Sequence, residues 1–180
     1  KMVDAGAFNQ HFWVYYGALS NVEYTFTVTD SETGAAKRYF NPATRFASSG
    51  DITAFGPQGA HAQGGPAEAM TRAATPPEIS LATFSAPQEL PGACVPTATR
   101  FCILDNRFAV TATWRDFAGH TGTANAGTLT DDTGYLWFFD DANVEVVLKM
   151  VDAGAFNGHF WVYYGALSNV EYALTVTDAV

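Results

Sequence analysis

Charge is scarce in this chain. Only 15% of its 180 residues are charged, and nine lysines and arginines face eighteen aspartates and glutamates, for a net charge of −9. A polyanion meets no basic cluster here, so nucleic acid is not expected as a partner. Long apolar runs are also missing. Nothing approaches the ~20 residues of a spanning helix, so no membrane span is expected. Cysteine is limited to Cys94 and Cys102, in CVPTATRFC. A thiolate metal site would want closer pairs and further Cys or His ligands. A local disulfide is expected in preference to two free thiols, and it implies an oxidising compartment.

Catalytic signatures are lacking as well. There is no G-x-S-x-G, no H-E-x-x-H and no Cys–His pair in a nucleophile-like setting. Of the histidines His11, His61, His120 and His159, two stand at one duplicated position, ahead of a strand, where packing or capping is the ordinary role. Asp116 and His120 could build a base, but nothing supplies a nucleophile. Neither an enzyme nor a cofactor is expected.

What is present is apolar, aromatic and repeated. Apolar residues at 48% and aromatics at 14% argue against disorder. Lys1 to Asp30 returns as Lys149 to Asp178 at an offset of 148, with 27 of 30 positions identical. The differences are Gln10 to Gly158, Thr25 to Ala173 and Phe26 to Leu174. Period-two alternation dominates elsewhere: Val22 to Thr29 reads as a half-buried strand, and Phe108 to Arg115 and Val144 to Val151 read likewise. Phe12-Trp13-Val14-Tyr15-Tyr16 is apolar on both faces and needs cover on each. Gly17 to Asn21 reads as the turn joining it to the next strand in a hairpin. Further strands are expected at Lys37 to Phe40 and at Tyr135 to Phe139.

The stretch from Gly56 to Gly92 holds six of the eight prolines and reads as a linker. Within it Ile79 to Phe84 alternates and could add an edge strand. The organisation expected is an incomplete β-module over residues 1–55, a linker over 56–92, and a second module over 93–180 that lacks its last strand. The start at Lys1, without a signal-like segment, fits a mature or excised piece of a longer precursor. The fold class is all-β, an antiparallel sandwich, immunoglobulin-like or related, with a barrel as the alternative.

Together CVPTATRFC, FAVTATWRDFAGHTG, LTDDTGYLWFFDDANVEVVLKMVD, NGHFWVYYGALSNVEYALTVTD and the TG…YFNP segment resemble a recurrent β-module of large secreted proteins of environmental bacteria. That family has no established activity or ligand. The resemblance implies a secreted β-fold and an extracellular or cell-surface location.

Two sets of residues are candidate sites. Phe12, Trp13, Val14, Tyr15 and Tyr16, with Phe160, Trp161, Tyr163 and Tyr164, could pack a core, meet another protein or, with Trp137, stack on sugar rings. Asp131, Asp132, Asp140 and Asp141 bracket a strand and could offer oxygens to Ca²⁺, but no loop has the D-x-D-x-D-G spacing and turn chemistry explains them. Near-identical segments can take each other's place in a sheet. The function expected is a structural subunit whose copies exchange strands into a filament or a swapped oligomer. The alternative is a monomeric adhesion or carbohydrate-binding module.

Overall fold

The computed structural model describes residues 1–45, 48–56 and 92–180. Most of the expected linker, with Ile79 to Phe84 and His61, lies outside the described residues. The first part of the chain forms β1 (Met2–Ala5), α1 (Gly6–Asn9), β2 (His11–Gly17), β3 (Tyr24–Thr29), β4 (Ala36–Asn41) and β5 (Ser48–Phe55). The second forms β6 (Phe101–Ile103), β7 (Phe108–Arg115), β8 (Thr121–Thr123), β9 (Asn125–Thr130), β10 (Thr133–Trp137), β11 (Val146–Ala153), α2 (Gly154–Asn157), β12 (His159–Ala166) and β13 (Glu171–Asp178). The fold is all-β, and every ladder between these strands is antiparallel. No helix among the described residues is long and apolar enough to cross a membrane.

In the second part, a sheet ordered β12-β11-β10-β9 and a sheet ordered β13-β7-β6 supply one core. Alternation decides who enters it. Val146, Leu148 and Met150 of β11 are buried, while Val147 and Lys149 between them are only half-buried. They meet Leu136 from β10, and Phe101, Ile103, Phe108, Val110 and Ala112 from the opposing sheet. Burying one such side chain is worth about 1.5–3 kcal/mol, so this cluster is the main source of cohesion. The Cys94–Cys102 disulfide forms, with Cα atoms 5.8 Å apart, and packs on Ala109 and Ala179.

The first part is built from fewer strands. β2 lies between β1 and β5, while β3 pairs with β4 in a separate two-stranded sheet. The two sheets meet through Val14, Ala54 and Phe55, with Tyr16, Val28 and Tyr39 against them.

The hairpin expected from Gly17 to Asn21 does not form. That segment carries the chain from one sheet to another: β2 pairs with β1 and β5, β3 pairs with β4, and Tyr16 meets Phe26 across the sheets edge-to-face, with ring centroids 4.9 Å apart. Three further boundaries differ. Val22 is exposed and precedes β3; Phe138 and Phe139 lie beyond β10; Val144 and Glu145 precede β11. Glu145 is instead buried in the connection, where its carboxylate accepts hydrogen bonds from Phe138 N at 2.6 Å and from Asn143 Nδ2. Burial pushes its carboxyl pKa up. The Gly/Thr-rich loop after Gly119 contains β8 and β9, and two strands, β4 and β5, follow the first copy where one was expected.

Candidate functional site

The duplicated segments fold alike. Met2 pairs with Val14, Val3 with Trp13, Asp4 with Phe12 and Ala5 with His11; Met150, Val151, Asp152 and Ala153 pair with Val162, Trp161, Phe160 and His159 in the same register. Each hairpin turns through a four-residue helix that ends on a left-handed residue, Gln10 at φ 61° and Gly158 at φ 73°. Asp4 and Asp152 accept the backbone N–H of Gly6 and Gly154, each at 2.8 Å. The amides of His11 and His159 bond to the side-chain oxygens of Asn9 and Asn157, so both histidines sit in the helix exit.

Surroundings then separate the two copies. Met150 is 2% exposed, inside the larger core, whereas Met2 is 50% exposed. On the other strand the order reverses: Val14 is 4% exposed and Val162 44%. The first hairpin is covered on its β2 side by β5, and the second on its β11 side by β10. Among the described residues, each lacks a ladder neighbour on the side where the other has one. The outer edge of β12 has no ladder partner among the described residues, although β5 occupies the corresponding edge of β2.

The nine aromatic and apolar candidates fall into three settings. Val14 and Tyr15 are buried, and Tyr16 packs on Phe26 and Tyr39 at 4.9 and 5.3 Å, so these are core. Phe160 is half-buried against Phe108 at 4.8 Å, with the Arg107 guanidinium 4.5 Å above its ring, itself forked onto Asp178. Phe12 and Tyr164 are exposed, and Trp13, Trp161 and Tyr163 are half-buried. Trp13 donates from Nε1 to Asn9 Oδ1 at 2.9 Å and meets Phe8 edge-on at 5.5 Å, as Trp161 meets Phe156 at 5.6 Å. Trp137 stacks on Tyr135 within the second part.

The two hairpins also touch each other, at the same position of each copy. A Cβ on Gly17 would lie 2.5 Å from Gly165 Cα, and one on Gly165 would lie 2.8 Å from Gly17 Cα. Only glycine at both positions lets the backbones come this close. Ser48, at the start of β5, donates from Oγ to Ala166 O at 3.2 Å and accepts from Ala166 N at 3.1 Å. Beside this contact, Asn21 and Trp161, Val162 and Tyr163 line a cleft of about 410 Å³. Sequence reasoning finds neither the glycine contact nor β5. The repeat shows that the glycines are equivalent, but only the structure shows that they meet.

The acidic candidates are occupied by local bonds. Asp132 accepts from Thr130 and Thr133 through Oδ1 and pairs with Lys149 Nζ at 3.1 Å through Oδ2. The two hydroxyls and then the ammonium hold its pKa down at about 2. Asp131 accepts the Asp105 N–H and Asp140 the Ala142 N–H. No group of three or more His, Cys, Asp or Glu among the described residues is placed to hold a metal ion. Asp116 and His120 do come together, at 2.8 Å, in the exposed loop after β7. The same carboxylate accepts the backbone N–H of Ala118 and His120, which is turn chemistry.

No family model, curated protein or solved structure matches this chain.

Proposed function

We propose that this chain is an extracellular structural subunit, without enzymatic activity, whose copies join by strand exchange. Its support is the mirrored exposure of one hairpin in two settings: the copy around Met150 is bare at Val162, and the copy around Val14 is bare at Met2. An open sheet edge offers unpaired N–H and C=O groups beside uncovered apolar side chains, and a strand from another molecule can satisfy both. Strands passed on in one direction build an open polymer, while reciprocal exchange closes a dimer. The disulfide suits an oxidising exterior. Size-exclusion chromatography with light scattering tests the reading. The expected result is a mass that rises with protein concentration; a compact monomer throughout the micromolar range overturns it.

A second reading, a monomeric glycan-binding or adhesion module, draws on Phe8 and Phe156, which are 82% and 81% exposed beside Trp13 and Trp161. Loss of glycan or cell-surface binding on replacing both phenylalanines by alanine, in a chain that stays monomeric, would favour it.

A further inference from the structure

We infer that the contact of Gly17 and Ser48 with Gly165 and Ala166 is an exchangeable seam, closed within one chain in the monomer and between two chains in the assembly. The first part of one molecule then sits on the second part of the next. The inference rests on the self-assembly reading above and names the surface through which a second copy of this chain is held.

The seam joins two surfaces that are finished without it. The first part has its own core around Val14 and Phe55, and the second has its own around Ile103 and Leu148. Among the described residues, no buried cluster draws members from both parts. Moving the contact from one chain to another therefore opens no core. Exchange of an identical unit on such terms is a low-cost route to oligomers.

The seam is nevertheless specific. Gly17 and Gly165 are the same residue of the duplicated segment. The three atoms nearest a Cβ on Gly17 are all Gly165 backbone, and those nearest a Cβ on Gly165 are all Gly17 backbone. Two backbones meet here with no side chain between them, so shape alone excludes most other surfaces. Polar groups fix the alignment. The Ser48 hydroxyl donates to Ala166 O at 3.2 Å and accepts from Ala166 N at 3.1 Å, so one side chain bonds both backbone groups of that residue. Lys1 of the first part feels the Glu145 carboxylate of the second, and Glu145 O accepts the N–H of Leu167, next to Ala166.

It is also weak enough to exchange. Asn21 of the first part faces Trp161 and Val162 of the second across a cleft of about 410 Å³, so the two surfaces do not pack closely beside the glycines. The hydrogen bonds of Ser48 replace bonds that water can make, and each adds little net. The contact within a chain competes with its own equivalent from a second molecule. That balance moves towards the second molecule as protein concentration rises.

The test mixes a full chain carrying Asn21→Cys with one carrying Val162→Cys, both positions lining the cleft, and adds a short thiol-specific cross-linker. The native cysteines are occupied by their disulfide. A covalent heterodimer is expected, in excess over the homodimers that either chain gives alone, with a yield that rises with concentration. Gly17→Ala, placed only in the Asn21→Cys chain, sets a Cβ against the Gly165 backbone and makes that first part lose to the native one. The heterodimer should then fall about tenfold. Ser48→Ala in the same chain adds no volume and should lower it a few-fold, which keeps the test valid should the glycine variant fold poorly. No heterodimer above the homodimer background overturns the inference, as does a yield that both variants leave unchanged. Light scattering on the same samples separates the two readings. Assembly without the heterodimer discards the seam and keeps strand exchange, whereas a compact monomer at every concentration discards both.

Discussion

The hairpin around Met2 and the hairpin around Met150 share their residues, their register and their helical turn, yet they bury opposite strands. The difference teaches that burial belongs to the neighbourhood. β10 and the core behind it cover Met150, and β5 covers Val14; among the described residues no strand takes the corresponding place beside Met2 or Val162. Any account of this protein in which each copy acts as a self-sufficient unit has to explain that inversion.

Truncating the methionines is the strongest way to break the comparison. Met150→Ala empties a core site and should cost about 2–5 kcal/mol. Met2→Ala, at an exposed site, should stay within about 0.5 kcal/mol. Urea unfolding of the two variants reads the contrast directly, and equal losses would erase it. The valines should reverse the order. Val14→Ala removes buried methyl groups worth about 1.5–2 kcal/mol, whereas Val162→Ala should change little in dilute protein. If assembly proceeds as proposed, Val162→Ala gains a cost at high concentration, because the residue is then covered.

A smaller effect comes from one of the three positions where the copies differ. Gln10 occupies a left-handed conformation that Gly158 adopts without a Cβ. Gln10→Gly should stabilise the first hairpin by about 1 kcal/mol, measured as slower amide exchange over β1 and β2. The mirror substitution, Gly158→Gln, should loosen the second by a similar amount.

The slightest effect is one of pH. Asp132 bonds Thr130, Thr133 and Lys149, and its pKa falls to about 2 in the folded state. A depressed folded pKa stabilises the fold at pH values above the ordinary aspartate value near 4, and that contribution fades as pH drops from about 4 towards 2. Asp132→Asn should flatten the acid limb of the stability curve in that window. Lys1, the counterpart of Lys149, feels the Glu145 carboxylate and not a turn aspartate held by two threonines, so the effect belongs to the second copy.

Much of this architecture was legible in the chain. Alternation located β3, β4, β7 and β11 to within a residue or two, because a strand half-exposed to water writes its face into every second position. The spacing of Cys94 and Cys102 foretold their bond. The two-faced run from Phe12 to Tyr16 correctly demanded cover on both sides: Val14 and Tyr16 cluster with Ala54, Phe55, Val28 and Tyr39, while Tyr15 lies against Gly50. β9 escaped notice because its Ala, Gly and Thr residues carry no apolar rhythm, and β5 because its apolar residues gather at one end. The link from Gly17 to Asn21 misled for a physical reason. Gly17, Ser20 and Asn21 suit a hairpin and a crossing between sheets equally well, and the aromatic contacts of Tyr16 and Phe26 with each other and with Tyr39 join residues well apart in the chain.

The sequence by itself determined the strand-forming periods, the disulfide and the fact that one hairpin is written twice, since these depend on local covalent order and side-chain chemistry. Only the tertiary structure decided which strand of each copy is buried and where the equivalent glycines meet. Identical residues cannot encode different burial; that comes from what the rest of the chain packs against them, which for Met2 and Met150 is water in one place and a closed core in the other.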